Sequence, residues 1–282
     1  MKRILFIVTI LIFTVSCQKQ IDVTQDAVVT DLLNCSGNAE TIRISETEEG
    51  NVNSSSFNKG LVAYYPFNGN ANDASVNHNN GTVYGAKLIA DRFGIKNSAY
   101  SFNGTTDYIS LANTFFNCQV VSQLSVSVWF KIISYPAQNV GYTIWDKLGF
   151  WREADIVIGG NAAGTGNIDF WWTYPNPQAY YGAYSNNSAF PLNKWNNFIF
   201  TMNGNTSNIY LNGQLLSTQS NTSNGLMDFS YLAQGNATST NLIGACQPVS
   251  PGLENFMKGS IDDFRLYNRA LTQQEIIYIA TH

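Results

Sequence analysis

Between residues 145 and 184 the chain gathers Trp145, Trp151, Trp171, Trp172, Tyr174, Tyr180, Tyr181 and Tyr184. Flat rings stack on the C–H faces of sugars while neighbouring Asn, Asp and Gln bind hydroxyls, so this composition suits a carbohydrate. In Ile168-Asp169-Phe170-Trp171-Trp172 a strand would set Asp169 and Trp171 on one face and Phe170 and Trp172 on the other. One face must be core. The expected ligand-binding set is therefore Trp171 and Asp169 on an exposed concave sheet, Tyr180 and Tyr181 on a loop over it, and Trp145 with them. Trp129 and Trp195 are expected to pack the interior. The only histidines are His78, in an Asn-rich turn, and the terminal His282, so no Ser/His/Asp set is available for catalysis.

The elements that must position these residues read as strands. From Leu61 onward, short β-rich runs such as 62–67, 99–102 and 108–111 alternate with Gly and Asn turns, the pattern of an antiparallel sheet. The run 124–130 alternates apolar residues with Ser, which places Leu124, Val126 and Val128 inward. The runs 198–202 and 207–211 flank Asn203-Gly204-Asn205, a hairpin turn signal. One helix start stands out: Thr272 followed by Glu275 forms a capping box before Ile276, Ile277 and Ile279.

The composition agrees with an extracytoplasmic β protein. Only 12% of the 282 residues are charged, about half the usual share, and Asn, Ser, Thr and Gly supply the polar surface instead. A net charge of −4, with no Lys/Arg cluster beyond Lys2–Arg3, argues against a nucleic-acid partner.

Residues 1–17 combine a basic start, an apolar run from Ile4 to Phe13 and small residues before Cys17, which is signal-peptide architecture. The apolar run is about half the length a spanning helix needs. Thr14-Val15-Ser16-Cys17 resembles a bacterial lipobox, with Thr14 departing from the usual Leu, so Cys17 is the expected lipidation site and the membrane is reached through that anchor alone. The expected location is the bacterial envelope, lipid-anchored at the outer membrane, facing the periplasm or the surface. Residues 18–59 hold acidic and small polar stretches with almost no aromatic residue, the composition of a flexible stalk. Among Cys35, Cys118 and Cys246 at most one pair can form. Cys118 with Cys246 is the expected disulfide, against three free thiols.

Residues 60–111 resemble the opening of bacterial laminin-G-like domains, and three further segments agree in order: LSVSVWFKI at 124–132, LNKWNNFIFTMNGNTSNIYLNGQLL at 192–216 and GSIDDFRLYNRALTQQEI at 259–276. The resemblance covers nearly all of residues 60–282 and is weakest at 133–191. It implies an all-β, two-sheet antiparallel jelly-roll-like sandwich of the concanavalin A-like type with a short C-terminal helix. That fold also hosts glycoside hydrolases, one family of which places its carboxylates as Glu-x-Asp-x-x-Glu on one strand. Here Glu153-Ala154-Asp155 is followed by Ile158 where the third carboxylate would stand, so the motif is broken and no catalytic residue is assigned. The resemblance further implies a structural Ca²⁺, for which Asp73, Asp262 and Asp263 are the candidate ligands. Its turn often reads Asp-x-Ser-Gly-Asn, but Val76 replaces that Gly here. The expected partner is a glycan or polysaccharide. The alternatives are an adhesion or structural module that binds a surface protein, and a hydrolase of the same fold.

Overall fold

The computed structural model describes residues 57–112, 115–116, 120–137, 140–147, 154–159, 166–174, 179–185, 190–220, 225–229, 241–247 and 252–282. Cys17, the stalk up to residue 56, Cys118 and Glu153 lie outside the described residues. The described residues form two main antiparallel sheets and a short C-terminal helix, as the sequence predicts.

Among the described residues sheet A has eight strands, running β14 (Gln214–Ser220), β13 (Thr206–Leu211), β12, β7, β17, β4 (Ala99–Asn103) and β3 (Lys87–Ile89), with β1 (Leu61–Tyr65) also pairing β17. Its centre is β7 (Gln123–Ile132), flanked by β12 (Asn196–Asn203) and β17 (Lys258–Tyr267). Among the described residues sheet B has seven strands in the order β11, β10, β9, β8, β16 (Asn241–Ile243), β5 (Tyr108–Ser110) and β2 (Thr82–Tyr84). The strands that matter below are β8 (Gly141–Lys147), β9 (Ala154–Gly159), β10 (Ile168–Tyr174) and β11 (Ala179–Ala183).

The alternation of β7 holds: Leu124, Val126, Val128, Phe130 and Ile132 all enter the core. The core is filled between the sheets by large rings. Phe170 of β10 stacks on Phe200 of β12 with centroids 3.7 Å apart and planes 3° from parallel. Trp145 of β8 meets Phe264 of β17 at 5.6 Å. The hairpin turn is also as read, since Asn203 pairs with Thr206 and leaves Gly204-Asn205 as a two-residue loop with Gly204 at φ 56°.

The helix α1 (Gln273–Thr281) starts on the predicted capping box, in which Thr272 and Glu275 satisfy each other's backbone N–H. Arg269 grips the Glu275 carboxylate with two N–H donors at 2.7 and 2.8 Å. Ile276 and Ile279 then press on Ile199, Tyr210 and Tyr267, giving sheet A a second, smaller apolar cluster on its outer side. Phe57 and Leu61 pack there too, so the packed domain reaches back to Phe57, three residues before the expected start at residue 60.

One interior assignment needs correction. Trp129 is buried as expected, on the face of β7 opposite Val128, under the Arg92 guanidinium at 4.6 Å. Trp195 is only half-buried, with Lys131 5.0 Å from its ring, because it is out of phase with the inward Phe198 and Phe200. Among the described residues Cys246 is a free, buried thiol, and its expected partner Cys118 lies outside them. Burial pushes the Cys246 thiol up to about 12, so it is protonated and unreactive at neutral pH.

Candidate functional site

Strand β10 separates its residues by face as the sequence predicts. Ile168, Phe170 and Trp172 are at most 1% exposed and belong to the core, which turns Asp169 and Trp171 to the outer face of sheet B. Trp171 is half-buried and stands in register between Asp155 of β9 and Gly182 of β11. Gly182 matters for its missing side chain: a Cβ there would lie 2.6 Å from Cζ of Tyr184. The Tyr184 ring occupies that space and meets Trp171 edge-on, with centroids 4.8 Å apart at 83°.

Asp169 corrects its expectation. It faces outward but is only 2% exposed, because its carboxylate accepts from Ser185 N at 3.1 Å and from Asn167 Nδ2 at 2.9 Å. Ser185 Oγ in turn accepts from Ile168 N at 2.7 Å, so this group fastens the start of β10 to the chain leaving β11. Burial raises the Asp169 carboxyl above the usual range, while these hydrogen bonds pull the other way. Asp169 is a bracket for the site rather than an open sugar contact.

Trp145 is a second correction. It is fully buried, donates Nε1–H to Asn241 Oδ1 at 2.8 Å and lies 6.4 Å from Phe170, which makes it a core ring. Tyr180 and Tyr181 are not on a loop: they lie within β11, paired with Thr173 and Trp172.

Beside Trp171 the outer face carries residues that the sequence reading passed over. Asp155 is directly opposite Trp171 on one side and Asp146 of β8 on the other, and the two carboxylates are 2% and 1% exposed. Asp155 was visible in the sequence only as part of a broken hydrolase motif. Tyr184 and Gly182 gave a fainter signal, a small residue two before an aromatic at a strand end.

The three candidate calcium ligands do not come together as a metal site. Asp73 Oδ1 accepts from the backbone of Tyr64 and Ser75, and its Oδ2 from Ser75 Oγ and Asn79 N, all at 2.8–2.9 Å. Asp262 and Asp263 both take Arg92 Nη1, at 2.8 and 2.7 Å, and Asp263 also binds Arg265 at 3.1 Å and Tyr64 Oη at 2.8 Å. Protein donors thus use the oxygens that a cation would need, and among the described residues no group of three or more His, Cys, Asp or Glu is placed to hold one. EDTA should therefore leave the melting temperature unchanged within about 1 °C; a clear drop would show a cation bound through other groups.

Burial and the adjacent Asp263 push the Asp262 carboxyl up to about 7, although Arg92 draws it down. Folded Asp262 then keeps its proton to about 7 where a free aspartic acid loses it near 3.8, so across that window the folded state binds more protons. Its contribution to stability is complete below that window and is lost as pH rises through it. Melts of the parent chain and of Asp262→Asn at several pH values check this. The parent should lose stability relative to the variant between pH 4 and about 7, and a difference independent of pH would refute the shift.

A laminin-G family described as the concanavalin A-like lectin/glucanases superfamily matches residues 103–277. No curated protein shows significant sequence similarity to the chain. Among solved structures, one similar fold is domain 4 of AbnA, a GH43 extracellular arabinanase from Geobacillus stearothermophilus, in complex with arabinotriose. It is 21% identical with a TM-score of 0.56, over 78% of this chain and 98% of that one. The binding domain of botulinum neurotoxin DC is also similar. Solved with rat synaptotagmin II it is 16% identical with a TM-score of 0.55, over 79% of this chain and 52% of that one. Solved with SialylT it is 16% identical with a TM-score of 0.53, over the same shares. The chain thus spans about half the length of the toxin domains, and at these identities the likeness is one of fold.

Proposed function

The chain belongs to the concanavalin A-like lectin/glucanases superfamily, and from that premise we propose that it is a non-catalytic carbohydrate-binding protein of the bacterial envelope, held to the outer membrane by lipid on Cys17. The observation that carries the binding reading is the Trp171–Tyr184 ring pair on the outer face of sheet B. Trp171 is too exposed to be spent on the core, and Asp169, Ser185 and Gly182 hold its surroundings in place. A half-exposed indole braced by a second ring gives a sugar a flat face, with polar groups close by. Domain 4 of AbnA, of similar fold, was solved with arabinotriose, which supports a sugar as the class of ligand.

A glycan array probed with the purified chain tests the reading: retention of one or more oligosaccharides is expected, and an empty array would count against it. The anchor has its own test. Mass spectrometry of the exported protein should find acyl chains on Cys17, and Cys17→Ser should release the protein from the membrane fraction.

Two other readings have an observation each. Asp146 and Asp155 are paired across β8 and β9 beside Trp171, and a hydrolase of this fold also works with two carboxylates. Their 1% and 2% exposure leaves little room for a substrate and water between them, so release of reducing ends from any bound glycan is not expected. The toxin domain solved with synaptotagmin II makes a protein partner the other reading, which a pull-down from surface extracts addresses.

A further inference from the structure

Alternation puts a second pair of rings on the outer face of sheet B, across the sheet from Trp171. In β5, Ile109 enters the core, so Tyr108 and Ser110 turn outward; in β2, Val83 packs on the core, so Thr82 and Tyr84 turn outward. Tyr84 lies opposite Tyr108, and their rings stack with centroids 4.5 Å apart and planes 11° from parallel. One face of Tyr84 is covered in this way, yet the residue keeps 46% exposure, which leaves its other face and hydroxyl edge open. Tight backbone holds the pair. Tyr108 leaves a turn in which Asn103 Oδ1 accepts from Thr105 N and Thr106 N at 2.8 and 2.9 Å, and Asp107 Oδ2 accepts from Asn103 N at 3.0 Å. After Tyr84, Gly85 at φ 76° gives room to the Asp107 carboxylate, with which a Cβ would collide.

Register ties this pair to the first. Thr82, Ser110, Leu242, Asp146, Asp155 and Trp171 oppose one another in turn from β2 to β10. Four strand spacings, about 19 Å, separate β5 from β10. Leu242, Asp146 and Asp155 are at most 2% exposed, so the two ring pairs flank a covered centre as separate points of attachment.

We infer that the Tyr84–Tyr108 stack is a second carbohydrate platform and that the chain takes long glycans by holding one polysaccharide at both, an inference that rests on the carbohydrate-binding reading above. A sugar ring lays its C–H face on the open side of Tyr84, with the Thr82 and Ser110 hydroxyls two residues away along the strands. The rings are already set by their turn and by each other, so little ordering is lost on binding. A trisaccharide is too short to span the platforms. A chain long enough to do so meets the second platform intramolecularly, and its affinity rises without any new kind of contact.

The test titrates the purified full chain with trisaccharides and decasaccharides of linear arabinan, xylan and mannan. In a series that binds, the decasaccharide should bind about tenfold or more tightly than the trisaccharide. Tyr84→Ala should remove that gain while leaving trisaccharide affinity within about twofold and the melt within about 2 °C, since Tyr84 lies on the surface of an edge strand. Tyr84→Phe, which keeps the ring, should retain most of the gain. A decasaccharide bound no more tightly than its trisaccharide, or a gain that Tyr84→Ala leaves intact, would overturn the second platform and leave the Trp171 site standing. Binding at no length in any series would overturn both.

Discussion

Phe170→Ala should lower the melting temperature by roughly 6–20 °C. The Phe170 ring is fully buried, lies face to face with Phe200 at 3.7 Å, and has Trp172 at 6.1 Å and Trp145 at 6.4 Å. It is therefore the contact through which β10 of sheet B is fastened to β12 of sheet A. Truncating such a ring costs about 3–5 kcal/mol, because the transfer free energy is lost and rigid neighbours leave a cavity. That is a large part of the roughly 5–15 kcal/mol that holds an average domain folded. Thermal melts by circular dichroism measure it, with Phe170→Leu expected to lose less than half as much. A melt unchanged within 2 °C would mean that β10 does not pack in this register, and the outward placing of Trp171 would fall with it.

Arg92→Ala should have a comparable effect for an electrostatic reason. One guanidinium nitrogen bridges Asp262 and Asp263, a second donates to the His282 carbonyl at 2.6 Å, and the plane covers Trp129 at 4.6 Å. Removing it leaves Asp262, 2% exposed, beside Asp263 with their shared cation gone. Above pH 7, where Asp262 is ionised in the parent, breaking the buried pair from one side costs about 3–5 kcal/mol, since a charge stays behind without compensation; at lower pH Asp262 takes up a proton and the loss is smaller. Asp263 keeps Arg265, so the burden falls on Asp262, and Asp262→Asn added to Arg92→Ala should restore much of the lost stability. Arg92→Lys should restore little, because an ammonium cannot bridge two carboxylates and stack on an indole at once. Equal melts for Arg92→Ala and the parent would show the network to be decorative.

Much of this was legible from short-range pattern. Period-two alternation separated Trp171 from Phe170 and Trp172, and the turn at Gly204-Asn205 and the Thr272–Glu275 capping box are local signals that tertiary contacts had no reason to override. The failures trace to irregular backbone and to pairing between distant strands. Trp145 was misplaced because β8 shifts register between Thr143 and Trp145, which puts Ile144 and Trp145 both inward. Asp262 and Asp263 read as possible metal ligands, but β17 is irregular between Asp262 and Arg265, with Asp263 at φ 48°, and both carboxylates reach the same arginine. That arginine is far away in sequence. The pairing of Asp146 with Asp155 needs the β8–β9 register, and the nesting of Tyr184 over Gly182 needs side-chain positions; neither is written in any local motif.

Trp171→Ala, assayed for glycan binding and thermal stability together, tests the central claim most directly. With the best-bound oligosaccharide from the array, affinity should fall about 30-fold or more, as truncation of a Trp anchor worth about 2 kcal/mol requires. The melting temperature should stay within about 3 °C of the parent, because the indole lies outside the core that Phe170 and Trp172 occupy. Undiminished binding in a folded Trp171→Ala protein would contradict the placing of the sugar site on the outer face of sheet B.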